Sequence, residues 1–312
     1  MRIPRSISIG AKNAFHLIWK MHNGSFLLKD KDSKRLYLRC IHDNLVESLH
    51  KQKDSTLSNP KSSPIQFVHQ IESNDNDVSI QRTETPDKTT KKHLKAQKAK
   101  RREKRQTLKS ANAPKKHRKP NSGFDLHAYC IMDNHIHSMG ALHSDVAPLS
   151  KHLKKTHSRF AKKLNKSLDR SGAVGNDRPK SIPVENAEGQ IRLALYIFTN
   201  PVRAGISKHP WDIKLRHMSS CRVFTHGEKT EFSAMIALPS WYLGLGKTPK
   251  ERQAKFRELL RIYLIENGLM RDPKFSESPY IGSKMWGEKI LASAKAYCRR
   301  MRKKRMESTG LI

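Results

Sequence analysis

Between Tyr129 and Met139 the chain reads YCIMDNHIHSM, a run of apolar and small residues that predicts a strand. Alternate side chains of a strand share a face, so His135 and His137 point one way while Ile136 points into the core. Two imidazoles placed like this can grip one divalent metal, and two polar side chains on a wet sheet face look the same. A second segment, about sixty residues on, narrows the choice. In Glu188 to Ile206, EGQIRLALYIFTNPVRAGI, the residues Ile191, Leu195, Phe198 and Val202 fall at helical spacing and predict a buried stripe. Arg192, Tyr196, Asn200 and Arg203 form the neighbouring stripe. A phenol and an amide four residues apart, with a guanidinium on either side, can meet one phosphate and one metal. Alone, a helical tyrosine is ordinarily core or surface.

The charge of the chain says what such a site would face. Its 312 residues carry a net charge of +34, with pI about 10.2. That excess repels itself unless a polyanion neutralises it, and the ordinary polyanion is nucleic acid. An anionic membrane surface competes as a partner, but no apolar run approaches 18 residues and no signal peptide follows Met1-Arg-Ile-Pro-Arg, so a cytoplasmic protein without membrane partners is expected. Cys40, Cys130, Cys221 and Cys298 form no CxxC pair, which argues against a zinc knuckle or a disulfide framework.

In chain order, AFHLIWKM (Ala14 to Met21), the turn signal Asn23-Gly24 and Phe26-Leu27-Leu28 predict a first hairpin. Asp30 to His50 predicts a helix, with Leu38, Ile41, Leu45 and Leu49 near one face and Asp30 or Asp32 as N-cap. From 51 to 122 periodicity vanishes, and Lys88 to Lys119 holds fifteen Lys and Arg against one acid, Glu103. Too little apolar surface is available there to offset ordering, so the tract reads as a disordered basic insert, either a phosphate-gripping arm or a solvated linker. Phe124 to Leu142 carries the central strand, with Asp133-Asn134 as a kink or bulge. Pro148 to Leu168 predicts an amphipathic helix whose exposed sides carry Lys154, Lys155, Arg159, Lys162, Lys163 and Lys166, nearly all of one sign, favouring a DNA-facing surface. Residues 169 to 187 read as a polar loop; Trp211, Ser219-Ser220 and Phe224 read as connecting structure. Thr248-Pro-Lys-Glu251 opens a helix with apolar Phe256, Leu259, Leu260 and Tyr263, and a last helix is expected from Lys284 to about Lys304. Strand and helix signals together predict an α+β sandwich. The expected division is a split catalytic core, 1–50 and 123–225, the insert 51–122, and a helical C-terminal region, 226–312.

The residue types suggest a chemistry. Direct attack on a phosphodiester needs a nucleophile, a sink for developing charge and help for the leaving oxygen. A metal held by His135 and His137 supplies the last two, with Asn200 able to add an oxygen ligand, and Tyr196 would attack phosphorus to give a covalent phosphotyrosine. Arg192 and Arg203, from helix phase, can position the phosphate.

YCIMDNHIH followed by YIFTNPVRAGI resembles the REP-associated tyrosine transposases, within the single-tyrosine HUH (His-hydrophobic-His) transposases and nucleases. The likeness covers most of residues 8–50 and 123–298. It implies a ferredoxin-like antiparallel sheet packed by helices, with the histidine pair on a central strand and the tyrosine on a helix beside it. It further implies cleavage and rejoining of single-stranded DNA at hairpin sites such as repetitive extragenic palindromes, dependence on magnesium or manganese, a 5′-phosphotyrosine with a free 3′-hydroxyl, and Asn200 as third metal ligand, in a monomer or a homodimer. The chain departs from that pattern at Asp133, where proline is usual, at Ser138, in the long insert, and in a 169–187 loop without the family's aromatic residues. Asp133 is then either a turn residue or a further carboxylate near the metal. Two other readings stay open: a DNA-binding protein that keeps the fold without turnover, and a metal phosphoesterase that uses an activated water.

Overall fold

A computed structural model describes residues 13–56 and 123–308. Four strands form one antiparallel sheet: β1 (Ala14–Lys20), β2 (Phe124–Ile131), β3 (His135–Leu142) and β4 (Lys180–Val184), in the order β2-β3-β1-β4. Helix α1 (Lys31–Thr56) connects β1 to β2, and α2 (Ala147–Ser167) connects β3 to β4. This βαββαβ order with β1 and β3 at the centre is the ferredoxin-like arrangement expected from the sequence resemblance.

Both crossover helices lie on one sheet face. Phe15, Leu17 and Trp19 of β1 and Ile136 and Leu142 of β3 pack there against Tyr37, Leu38 and Ile41 of α1 and Leu149, Leu153 and Phe160 of α2. The basic tract and the Leu49 side chain lie outside the described residues. The other face of the sheet takes α3 (Ala187–Arg203), capped by Asn186, whose Oδ1 accepts from Gly189 N at 2.9 Å. Outside α3 lie α4 (Cys221–His226), α5 (Ser240–Leu243) and α6 (Pro249–Asn267); α7 (Lys284–Ser308) ends the described chain. Because α3 sits between sheet and helices, it is buried around its whole girth from Leu193 to Pro201. The expected stripe is therefore corrected: Leu195 and Phe198 are core, whereas Ile191 and Val202, nearer the ends, are only partly buried.

Several other expectations change. No first hairpin forms. Asn23 and Gly24 both take positive φ, as a turn requires, but β1 has its two edges taken by β3 and β4, and Leu28 N instead donates to Asp133 O at 2.9 Å. The helix then starts at once, with Asp30 Oδ1 accepting from Ser33 N at 2.7 Å. The single strand read across 124–142 is a hairpin, β2 and β3, turning at Asp133-Asn134. The register slip falls earlier, between Leu126 and Ala128. The 169–187 loop contains β4, an edge strand that tolerates Pro183 because no neighbour needs its missing N–H. Phe224, read as connection, is fully buried among Phe198, Trp241, Tyr242 and Phe256. The opening of α6 is as read, Thr248 Oγ1 accepting from Glu251 N at 3.2 Å. Among the described residues no helix is long and apolar enough to cross a membrane.

The β2–β3 turn is held from outside the sheet. Lys34, on the first turns of α1, donates its Nζ to Leu28 O, to Lys29 O at 3.0 Å and to Asp133 Oδ1 at 2.7 Å. Asp133 is thus a turn residue tied to α1. With the Lys34 side chain 8% exposed and the Asp133 side chain 30%, the pair is largely desolvated, and removing the ammonium strands three acceptors. Lys34→Met should lower unfolding stability by about 2 kcal/mol in urea titration; an unchanged midpoint would mean the turn does not depend on this cation.

Candidate catalytic cleft

The pairing of β1 with β3 sets Ile18 opposite His137 and Lys20 opposite His135. Side chains of His16, Ile18 and Lys20 on β1, and of His135, His137 and Met139 on β3, therefore share the face that meets α3. Tyr196, Asn200 and Arg203, at helical spacing on α3, come down onto the same place. Ile18, Lys20, His135, His137, Tyr196, Asn200 and Arg203 line a cleft of about 500 Å³, with Leu269, Arg271 and Ser276 of the loop after α6 among its other walls.

Ring distances define the interior. The His135 and His137 centroids are 4.9 Å apart and nearly perpendicular, and Tyr196 lies 5.7 Å from His137, edge to face. Arg203 Cζ is 4.1 Å from the centre of the Tyr196 ring, and Phe275 stacks on that ring at 4.7 Å. These neighbours hold the phenol ring in place; among the described residues nothing hydrogen-bonds to its hydroxyl.

The hydrogen bonds decide which atoms are available. Asn134 Oδ1 lies 2.7 Å from His135 Nδ1; an amide oxygen only accepts, so Nδ1 carries the proton and Nε2 keeps its lone pair. His137 Nδ1 shares a proton with His16 Nε2 at 2.9 Å, which leaves His137 Nε2 uncommitted. Helix α3 continues through Pro201 to Arg203. A residue at 201 would normally donate to Ile197 O; proline cannot, and Asn200 Nδ2 bonds that carbonyl at 3.2 Å and Tyr196 O at 3.0 Å. Asn200 Oδ1 is thereby turned outward, where it accepts from Arg203 at 2.7 Å and retains a second lone pair.

Burial dominates the electrostatics. It lowers the pKa of His135 to about 4, with Lys20, Arg271 and Arg203 adding to the effect and Asp133 opposing it. It pushes His137 well below its ordinary range and His16 to about 3, the latter against the pull of the Phe275 backbone. At neutral pH all three rings are uncharged, as metal ligands must be. Among the described residues no carboxylate lines the cleft, whereas Lys20, Arg203 and Arg271 do. Among the same residues no group of three His, Cys, Asp or Glu could hold a metal. The donor set that fits one is two imidazole nitrogens and an amide oxygen, with positions left for phosphate oxygens and water.

Not every residue singled out in the sequence reaches this place. Arg192 is exposed and pairs with Glu188 at 2.6 Å, outside the cleft lining. Lys154, Lys155, Arg159 and Lys162 sit with Lys151 and Ser158 around a shallow groove on α2, the helix on the opposite sheet face. Conversely, His16 and Lys20 were hidden in a segment read only as apolar, although period-two alternation in AFHLIWK puts both on the face of Ile18. Arg271 and Phe275 carry no signal of their own, since a loop brings them back from the far end of α6.

No family model matches the chain, and no curated protein matches it. Among solved structures the chain is similar to that of a REP-associated tyrosine transposase bound to a REP hairpin, at 12% identity over 74% of this chain and 94% of that chain, with a TM-score of 0.36. That likeness is too distant to bear on the site.

The neutral imidazoles leave a mark on stability. Because the folded pKa values of His16, His135 and His137 are lowered, the unfolded chain takes up protons that the folded chain refuses once pH drops below about 6.5. Stability is therefore greatest above that pH and lost towards pH 4, by about 1.4 kcal/mol per pH unit for each histidine titrating. Urea titrations of metal-free protein at pH 7, 6 and 5 should show it, and His16→Gln should remove one proton from the slope; a slope unaltered by that change would mean His16 titrates normally.

Proposed function

We propose that this chain is a metal-dependent single-stranded DNA endonuclease and transposase that cleaves and rejoins DNA at hairpin sites through a 5′-phosphotyrosine at Tyr196. The observation that carries the reading is the meeting of the Tyr196 phenol with the His135–His137 pair in one cationic, carboxylate-free cleft. The net charge of +34 supports a nucleic-acid substrate, and the motif resemblance supports single-stranded hairpin DNA.

In this reading Lys20, Arg203 and Arg271 draw the scissile phosphate into the cleft and Arg203 fixes the phenol ring. The Tyr196 oxygen attacks phosphorus and gives up its proton, the bond from phosphorus to the 3′-oxygen breaks, and that oxygen takes a proton to become the free 3′-hydroxyl. Energy of the broken ester is kept in the phosphotyrosine bond, so another 3′-hydroxyl can reverse the step and seal a new junction. His135 Nε2, His137 Nε2 and Asn200 Oδ1 would hold a magnesium or manganese ion, which supplies charge stabilisation at the phosphate and the leaving oxygen. The basic groove on α2 holds flanking DNA by its backbone, without reading sequence. In this assignment 1–50 and 123–225 form the catalytic core, and the C-terminal region contributes a cleft wall through Leu269, Arg271 and Ser276, with Phe275 stacked on the Tyr196 ring.

The test is a denaturing gel of purified protein with labelled single-stranded hairpin oligonucleotides and manganese or magnesium. A protease-sensitive shifted band is expected, abolished by Tyr196→Phe and by chelator. Cleavage that survives Tyr196→Phe without an adduct would select the water-activated phosphoesterase. Salt-sensitive binding equal in both proteins, with no cleavage, would select the non-catalytic DNA-binding protein.

The α2 groove makes a separate prediction. Neutralising Lys154, Lys155, Arg159 and Lys162 together should flatten the salt dependence of single-strand binding, by about 0.7 in the log–log slope for each phosphate no longer neutralised. Adduct formation on a short oligonucleotide at saturation should not change. A salt slope equal to that of the unaltered chain would remove this groove from the DNA path.

A further inference from the structure

We propose that His16 is a positioning residue for the metal centre, accepting the Nδ1–H of His137 and so holding His137 in the tautomer whose Nε2 lone pair faces the cleft. This role rests on the metal reading above and falls to a residue outside the ligand set.

Strand register brings the two rings together. Ile18 lies directly opposite His137, so His16, two residues back on the same face, is its diagonal neighbour, within reach only of a long side chain. The rings meet nearly edge to edge, 5.1 Å between centroids and 21° between planes, with Nε2 of one 2.9 Å from Nδ1 of the other. Both are buried, at 0% and 2% exposure, so neither nitrogen has water as an alternative partner.

A neutral pair sharing one proton has two orientations. If His16 donates, His137 must carry its own proton on Nε2, aimed into the cleft, and His16 Nδ1 becomes a buried lone pair. Among the described residues that nitrogen has no hydrogen-bond partner, donor or acceptor, so it does not choose between the two orientations. If His137 donates, its Nε2 is a bare acceptor and His16 Nδ1 carries a proton. A metal on His137 Nε2 needs that nitrogen bare, so the proton of His137 must stand on Nδ1, and the acceptor it meets there is His16 Nε2 at 2.9 Å. The second orientation is therefore the one that the metal reading requires. It also matches His135, whose Nδ1–H is held by Asn134 Oδ1 at 2.7 Å. Each histidine of the pair then has one acceptor behind Nδ1 and one free Nε2 in front, the arrangement by which an outer partner orients a metal-binding imidazole. His16 also lies 6.5 Å from the Tyr196 ring, so the same side chain packs against both the proposed ligand and the proposed nucleophile.

The experiment uses the full chain as wild type, His16→Phe and His16→Gln. Glutamine keeps an acceptor oxygen near the position of Nε2; phenylalanine keeps the volume alone. Nitrogen-15 NMR of histidine-labelled, metal-free protein should show His137 protonated at Nδ1 in the wild type and in His16→Gln, and a loss of that preference in His16→Phe. Manganese titration followed by electron paramagnetic resonance should weaken about 10- to 100-fold in His16→Phe and recover most of that in His16→Gln. A wild-type His137 protonated at Nε2, or manganese binding by His16→Phe equal to wild type, would overturn the proposal while leaving the metal reading intact. Wild-type protein that binds no manganese would overturn the metal reading and this role with it. Should His16→Phe fail to fold, the wild-type tautomer and the His16→Gln titration still decide.

Discussion

The antiparallel pairing of β1 with β3 is the constraint on which the cleft depends. These are the two inner strands, so their register is locked on both sides by β4 and β2, and a slip by one residue would send every imidazole to the opposite face, into the apolar layer under α1 and α2. Such a slip is costly because Phe15, Leu17, Trp19 and Ile136 would have to leave that layer at the same time. Hydrophobic burial on one face of the sheet thus specifies where polar chemistry stands on the other. The turn at Asp133-Asn134 extends the same logic to the strand end: Lys34 ties Asp133 to α1, and Asn134 in turn orients His135.

Burial on the second face has a different role. With α3 packed over this face, His16, His135 and His137 lose water and stay neutral, and neutral nitrogen is both a better ligand and an easier group to bury. The penalty of enclosing so many polar atoms is offset by pairing them to one another: His16 to His137, Asn200 to Tyr196 O and to the Ile197 carbonyl that Pro201 leaves unmet, Arg203 to Asn200 and to the Tyr196 ring. Pro201 is in this sense part of the site. By removing one N–H it makes Nδ2 of Asn200 structurally necessary, and that necessity fixes the direction of Oδ1.

How much of this was legible in the sequence follows from how local each signal is. His135 and His137 share a face because strands alternate, and Tyr196 and Asn200 share one because helices turn every 3.6 residues; both inferences need only a short window. The α+β class and the α2 helix were readable for the same reason. The hairpin between β2 and β3 was not, because Asp133-Asn134 reads equally as a bulge, and only the partner at Lys34, 99 residues away, makes it a turn. The short edge strand β4 was lost behind its flanking glycines and prolines, and Arg192 was misplaced because helix phase fixes an angle and not which residues lie beyond the covered length. Arg271 and Phe275 depend on tertiary return of the chain, which no window contains.

The placement of the two basic surfaces then shapes what the protein can do with a polyanion. Lys20, Arg203 and Arg271 line the cleft on the α3 side, while the α2 cations stand over the opposite face, with the sheet between them. A short extended strand lying in the cleft cannot touch both. The α2 sequence carries no acid, whereas the cleft cation Arg271 is paired with Glu277 at 2.8 Å, so Lys20 and Arg203 are left as the other cations of the cleft lining. Which face of a four-stranded sheet each helix covers therefore separates the cleft of His135, His137 and Tyr196 from the basic groove on α2.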